Sequence, residues 1–203
     1  NINNNALVFF LSAGYVKGPQ TLHSNIYQLQ PGHFLTIENG QPPKLEQYWS
    51  AADSEHIPAK NQSEHIVKFN RQLQQSIIST IPNDVPFAAF LSGGLDSSYI
   101  VNTIMKSKQM YHAFETYILD FDNADYSEYP IAQQTALMLG VKLNRVRYSE
   151  HSEDLTQIIY SAAREGIGDP SFIPLSMVSK VAKEKFKVLI GGDGGDELLY
   201  GYD

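Results

Sequence analysis

From residue 85 onward, short apolar runs alternate with stretches of helical period. Phe87–Leu91 (Phe-Ala-Ala-Phe-Leu) is almost wholly apolar, the pattern of a strand buried on both faces. A helix is expected from about Asp96, with Ile100, Val101, Ile104 and Met105 on one side. Thr116–Phe121 is the next strand. Ser127–Leu139 is the next helix, capped by Ser127 and stopped by Gly140. Val141–Tyr148 alternates apolar and polar residues as a strand would. Ser152–Ala163 and Leu175–Lys185 read as helices, and Lys187–Ile190 as a last apolar strand. Strands alternating with helices imply βαβ units. The expected class is α/β, a parallel twisted sheet with helices on both faces.

The earlier part of the chain reads differently. Between residues 6 and 49, the short runs Leu7–Leu11 and Phe34–Ile37 are broken by Gly14, Gly18-Pro19, Pro31-Gly32, Asn39-Gly40 and Pro42-Pro43. These are strand-and-turn signals with no sustained helical period, and Asn39-Gly40 is a hairpin-turn signal. Residues 62–80 then switch to helix. Ile66, Phe69, Leu73 and Ile77 recur at three- and four-residue steps, with Ser63 read as the N-cap. The expected division is 1–49 as a joining region and 50–203 as an α/β domain.

Composition narrows the function classes. The 203 residues include no cysteine, which excludes disulfides, Cys-ligated zinc, iron–sulfur clusters and a thiol nucleophile. Fifteen Lys and Arg against 22 Asp and Glu give a net charge of −7. No basic run offers the patch that binding a phosphate backbone needs, so no nucleic-acid partner is expected. No apolar stretch reaches the roughly 18 residues of a membrane span, so no membrane partner is expected. The six histidines lack His-Glu-x-x-His spacing, so no zinc site is expected. Lys180, Lys183, Lys185 and Lys187 read as a solvated face. The start lacks Met and any signal-peptide pattern, and the end follows a strong motif directly. The chain is therefore expected to be an excerpt of something longer.

Two loops carry the candidate chemistry. Ser92-Gly93-Gly94-Leu95-Asp96-Ser97-Ser98 falls between a buried strand and a helix. In open parallel sheets, ligands bind beyond the carboxyl ends of the strands. Two glycines let the backbone approach an anion closely, and successive N–H groups can form a nest for phosphate oxygens. The following helix start adds partial positive charge. Ser92, Ser97 and Ser98 supply hydroxyls. Asp96 repels phosphate by itself and makes sense if it holds Mg²⁺. The plain alternative is a tight strand-to-helix turn with a serine cap. Neither a Walker pattern nor Gly-x-Gly-x-x-Gly is present.

The second loop, Gly191-Gly192-Asp193-Gly194-Gly195-Asp196-Glu197, continues through Leu198-Leu199-Tyr200-Gly201-Tyr202. Four glycines and three carboxylates in seven residues make an unfavourable plain turn. A bound Mg²⁺ would relieve the carboxylate repulsion. The alternative is an exposed acidic turn; the spacing is not that of an EF-hand.

Ser92–Ser98 resembles the pyrophosphate-binding loop of the N-type ATP pyrophosphatases, the PP-loop superfamily of adenine nucleotide alpha hydrolase-like fold. Leu95 before Asp96 and the double Ser resemble the asparagine synthetase group. The second loop resembles that group's Ser-Gly-Glu/Asp-Gly-x-Asp-Glu-Leu-Phe-x-Gly-Tyr, with Gly191 for Ser and Leu199 for Phe. The resemblance implies ATP and Mg²⁺, with Asp96 and Asp196 on the metal and Asp193 at the catalytic acidic position near the attacking amine. It implies nucleotide contacts at Ser92, Gly93, Gly94, Leu95, Asp96, Ser97, Ser98, Gly191 and Gly192, and adenine-side positions at Phe90 and Leu119. Thr116–Phe121 resembles Thr-Phe-Ser-Ile-Gly-Phe, with Asp120 where Gly is usual. Glu128, Ala132, Ala136 and Leu139-Gly140 resemble the group's Glu-x-x-x-Ala helix. Arg164–Pro174 resembles an acceptor-side Asp-Glu-Pro-x-x-Asp-Pro-Ser-x-x-Pro, with Arg164 for Asp and Gly166 for Pro.

Residues 6–49, with Pro31-Gly32-His33 and Tyr48-Trp49, resemble the joining region after the family's glutaminase domain. The implied activity is an ATP-dependent, carbon–nitrogen bond-forming ligase of the cytoplasm. It activates a carboxylate, the aspartate side chain by analogy, as an acyl-adenylate and amidates it with ammonia from glutamine. A glutaminase domain and small-molecule substrates are the implied partners, with a homodimer left open. The family's glutaminase Cys and a later catalytic Lys are expected outside this chain. Open alternatives are another amide ligase of β-lactam synthetase or peptide cyclase type, a nucleotide-binding module without chemistry, and a tRNA thiolase. The absence of cysteine and the acidic charge weigh against the last.

Overall fold

The first apolar run of the chain is helical, not extended. In the computed structural model, which describes residues 1–53, 60–107, 114–148, 153–199 and 201, α1 spans Asn4–Ala13. Asn3 caps its start, Oδ1 accepting from the Ala6 N–H at 3.3 Å. Gly14 closes it in the left-handed conformation, donating to the Phe10 carbonyl at 2.8 Å. A short apolar run has no period that separates strand from helix, and here the caps at both ends decide. The chain divides into two compact units, Asn1–Ala59 with Thr156–Phe172, and Lys60–Leu155 with Ile173–Asp203.

In the first unit, β1 (His33–Thr36) and β2 (Lys44–Gln47) pair antiparallel, from His33 opposite Gln47 to Thr36 opposite Lys44. Asn39-Gly40 lies in the connecting loop as expected, and Gln41 N–H donates to the Glu38 carbonyl at 3.1 Å. Tyr15 bridges to Ile167, and Gly168 N–H donates to Gly14 at 2.7 Å. Just before Ile167, Gly166 stands at φ 71°, a value that the usual proline cannot adopt.

The second unit holds the sheet. α2 covers Gln62–Thr80, capped by Asn61 rather than Ser63. Asn61 Oδ1 accepts from Glu64 N–H at 2.9 Å, while the Glu64 carboxylate accepts from Lys60 N–H at 2.8 Å. Of the expected stripe, Ile77 is buried and Leu73 packs on the core, but Ile66 and Phe69 are exposed. There follow β3 (Phe87–Phe90), α3 (Leu95–Lys106), β4 (Glu115–Asp120), α4 (Tyr129–Leu139), β5 (Leu143–Arg147), α5 (Glu153–Glu165), which from Thr156 on belongs to the first unit, α6 (Phe172–Ala182), β6 (Val188–Ile190) and α7 (Gly195–Leu199). Ser127 does not cap α4; it points instead at Asp120. α6 starts three residues before the expected Leu175, because Pro174 is tolerated in a first turn that makes no intrahelical N–H bond. Ser152, expected to begin the helix now assigned to α5, lies outside the described residues, as do Tyr200 and Tyr202 of the second motif.

The four strands are parallel in the order β5-β4-β3-β6. Successive β3 residues point to opposite faces, and both faces are covered, as its apolar run implies. Phe87 and Ala89 join Ile118 of β4, Ile77 of α2, Val101 and Ile104 of α3 and Ala132 and Ala136 of α4. Ala88 joins Tyr117 and Val146 on the other face, beneath Val178 and Ala182 of α6. The expected class therefore holds. Strand order reverses at β3: β4 and β5 continue to one side, and β6 returns to the other. This is the switch point at which open α/β sheets bind ligands.

At the amino end of the sheet, Glu115 accepts from Lys142 Nζ at 2.9 Å and Asn144 Nδ2 at 2.8 Å, with Lys185 Nζ 3.9 Å away. The four lysines from Lys180 to Lys187 are otherwise exposed. Burial pushes the Glu115 carboxyl up, but these hydrogen bonds and ammonium charges outweigh it and hold it below its ordinary value. A group with a lowered folded pKa stabilises above its unfolded pKa, and that contribution is lost as pH falls through the folded value. Glu115→Gln is expected to cost about 1 kcal/mol at neutral pH. It should cost nothing once the pH lies well below the carboxylate range; circular dichroism melts at the two pH values check this.

Candidate functional site

The loops after β3 and β6 emerge from adjacent strands at the carboxyl edge. The first is stapled from within. Ser97 Oγ accepts from Ser92 N–H at 3.2 Å, lies 3.0 Å from Ser92 Oγ, and donates to the Gly94 carbonyl at 3.3 Å. Gly94 N–H in turn donates to Ser92 Oγ at 3.2 Å. Ser97 is buried, whereas Ser98 is half-buried and Leu95 is exposed. Gly94 is the N-cap of α3 and supplies no side-chain acceptor. The first N–H groups of a twelve-residue helix thus keep their dipole for an anion.

Gly93 sets the shape of this loop. Its φ is +88°, and a Cβ there would lie 2.8 Å from Ala132 N and 2.9 Å from Ile131 Cγ2 at the start of α4. Only glycine satisfies both the dihedral and the contact.

The second loop comes up against the first. A Cβ on Gly195 would lie 2.8 Å from Asp96 Oδ2, and one on Gly192 would lie 3.4 Å from Asp96 Cβ and 3.7 Å from Ser97 N. The Asp96 carboxylate therefore lies against the backbone immediately before Asp196. Asp96, Asp193 and Asp196 are all exposed. Gly201 N–H donates to the Asp196 carbonyl at 3.0 Å, folding the end of the motif back on α7. A Cβ on Gly191 would lie 2.7 Å from Asp193 Oδ2 and 3.6 Å from Phe90 Cδ2. The glycine thus leaves the space that the Asp193 carboxylate occupies. Phe90 and Leu119 are half-buried on the α6 face of the sheet. Leu119 is on β4, separated by β3 from the strand that feeds the second loop.

The loops bring together Asp96, Gly192 and Gly195, with Asp196 next in chain. No group of three Asp, Glu, His or Cys gathers among the described residues. Two carboxylates with open neighbours suit Mg²⁺, which keeps waters and completes its shell with substrate phosphates. Gly195 was not singled out in the sequence; its signal was its place beside Asp196, but nothing local names Asp96 as its neighbour.

The sequence model of the asparagine synthase family matches residues 68–203. The chain belongs to the asparagine synthase family. It is 31% identical over 205 aligned residues to asparagine synthetase (glutamine-hydrolyzing) 1 of Bacillus subtilis strain 168, covering all of this chain and 31% of that protein. Amidase chyE of Penicillium rubens is 25% identical over 205 residues, covering 91% of this chain and 30% of its own. The chain thus spans about a third of the length of these relatives. Among solved structures, the NH3-dependent NAD synthetase of Campylobacter jejuni aligns with a TM-score of 0.45 at 16% identity, over 68% of this chain and 60% of that one. In this member of the asparagine synthase family, both loops described above fall inside the matched residues. No helix among the described residues is long and apolar enough to cross a membrane.

Proposed function

We propose that residues 50–203 form the ATP-binding synthetase part of an amide-forming ligase, and that 1–49 join it to a glutaminase domain in a longer cytoplasmic protein. ATP binds beyond the carboxyl edge of the sheet, with adenine toward Phe90 and the Leu119 backbone, and the phosphates toward Ser92–Ser98. An acceptor carboxylate attacks the α-phosphorus, the bond to the diphosphate breaks, and an acyl-adenylate forms. Backbone N–H groups of the first loop and the α3 dipole receive the departing diphosphate. Asp96 and Asp196 are the residues that would hold Mg²⁺, which when bound supplies positive charge against the leaving group. An amine then attacks the acyl carbon and AMP departs. Asp193, beside Gly191, stands to take a proton from the incoming amine. By family analogy, the acceptor is the aspartate side chain and the amine is ammonia from glutamine.

The observation that carries this reading is the Asp96 side chain lying against Gly192 and Gly195, its carboxylate at Gly195, one residue from Asp196. Aspartate-dependent exchange of labelled pyrophosphate into ATP by the full-length protein tests it. Exchange with aspartate and none without acceptor is expected. ATP binding without exchange, whatever carboxylate is offered, would leave a non-catalytic nucleotide module. A second reading has an observation of its own. Arg164 and the positive-φ Gly166 depart from the family's acceptor-side stretch. Exchange with another carboxylate and not with aspartate would make the chain a different amide ligase on the same scaffold.

A further inference from the structure

We propose that Asp120 and Arg145 are positioning residues that, through Ser127 and Tyr129, press the first turn of α4 against Gly93 and so fix the backbone of the diphosphate cradle. The inference rests on the reading of Ser92–Ser98 as that cradle.

Asp120 ends β4, one strand from the cradle's own strand, and is only 1% exposed. Its Oδ1 accepts from Ser127 Oγ at 2.5 Å, and its Oδ2 accepts from Arg145 Nε at 2.5 Å, with Arg145 Nη2 closing on the same oxygen. The guanidinium of Arg145 in turn stacks 4.3 Å above the ring centroid of Tyr129. Ser127 and Tyr129 flank Glu128, the N-cap of α4, whose side chain caps nothing. The start of α4 is therefore anchored from outside the helix, by the Asp120 carboxylate at Ser127 and by the cation paired with it at Tyr129. The next residues, Ile131 and Ala132, form the surface that Gly93 touches.

With Asp120 buried and Arg145 exposed, this ion pair is a poor device for stability alone, because desolvation of the carboxylate offsets much of the attraction. It is a good device for geometry, since the planar guanidinium fixes two hydrogen-bond directions and one stacking plane at once. Here the stack on Tyr129 and the Asp120–Ser127 bond converge on the start of the element that the left-handed Gly93 rests on. Displacing the α4 start would shift Gly93 and, with it, the loop N–H groups. A misplacement of about 1 Å is enough to cost up to roughly a hundredfold in a preorganised site.

The test uses the full-length protein with Arg145→Lys, Tyr129→Leu and Asp120→Asn variants, titrated calorimetrically with magnesium pyrophosphate beside thermal melts. Arg145→Lys keeps the charge, but a single ammonium cannot both fork onto Asp120 and stack. Arg145→Lys and Tyr129→Leu are expected to stay folded and to weaken diphosphate binding about tenfold or more. In the exchange assay, their KM for pyrophosphate should rise while the KM for the acceptor stays put, a split that general loosening would not give. Should Asp120→Asn fail to fold, these two decide. Folded variants that bind diphosphate as the wild type does would overturn the proposal and leave the cradle standing. A wild type that binds no diphosphate would remove the cradle itself and the proposal with it.

Discussion

Asp96→Asn is expected to abolish detectable ATP–pyrophosphate exchange, a loss of roughly a hundredfold to a thousandfold or more. The Asp96 carboxylate is exposed and takes no hydrogen bond from any described residue. It makes no contribution to the core. It lies instead against Gly195, with Asp196 and Glu197 following on the neighbouring loop. Without a cation, Asp96 and Asp196 offer one another only like-charge repulsion. Neutralising Asp96 should therefore leave the melting temperature of the cation-free protein unchanged or raise it, while exchange disappears. Loss of activity together with a lower melting temperature would point to a structural part for Asp96. Exchange assays and melts in chelator, run on the same preparations, separate the two.

Gly93→Ala is expected to have the second-largest effect, and it acts on structure as well as on binding. A non-glycine residue at φ +88° is strained by about 1–3 kcal/mol. The added methyl would also press within 2.8 Å of a backbone nitrogen, Ala132 N, which cannot swing aside as a side-chain tip can. Gly194 provides the control. Its φ is +92°, but nothing lies within 4 Å of a Cβ built there. Gly194→Ala should show the dihedral strain alone. The difference between the two variants in denaturant midpoint measures the contact between the cradle loop and α4. Nucleotide affinity should fall sharply for Gly93→Ala and less for Gly194→Ala.

The sheet was legible in the sequence because burial on both faces leaves a nearly unbroken apolar strand such as Phe87–Leu91. Alternation with helices then implies parallel order. The two loops were legible because glycines next to carboxylates at strand ends are unfavourable without a ligand. What could not be read depends on partners distant in sequence. Ser127 fits the local pattern of an N-cap, but Asp120 takes its hydroxyl, and the cap position passes to Glu128. Asp120 and Arg145 are 25 residues apart and meet only across paired strands. Asn61 outcompetes Ser63 because its extended backbone sets its side chain over the Glu64 N–H. α1 was missed for a different reason. Its apolar run is too short and too uniform to show a period, so Asn3 and Gly14 at its ends were the only informative residues.

The most direct test of the account is a crystal structure of the full-length protein with magnesium and pyrophosphate. One cation is predicted between the loops, with one oxygen of Asp96 and one of Asp196 each at about 2.1 Å and the rest of its shell from diphosphate and water. A diphosphate bound elsewhere, or a cation that neither aspartate touches, would contradict it.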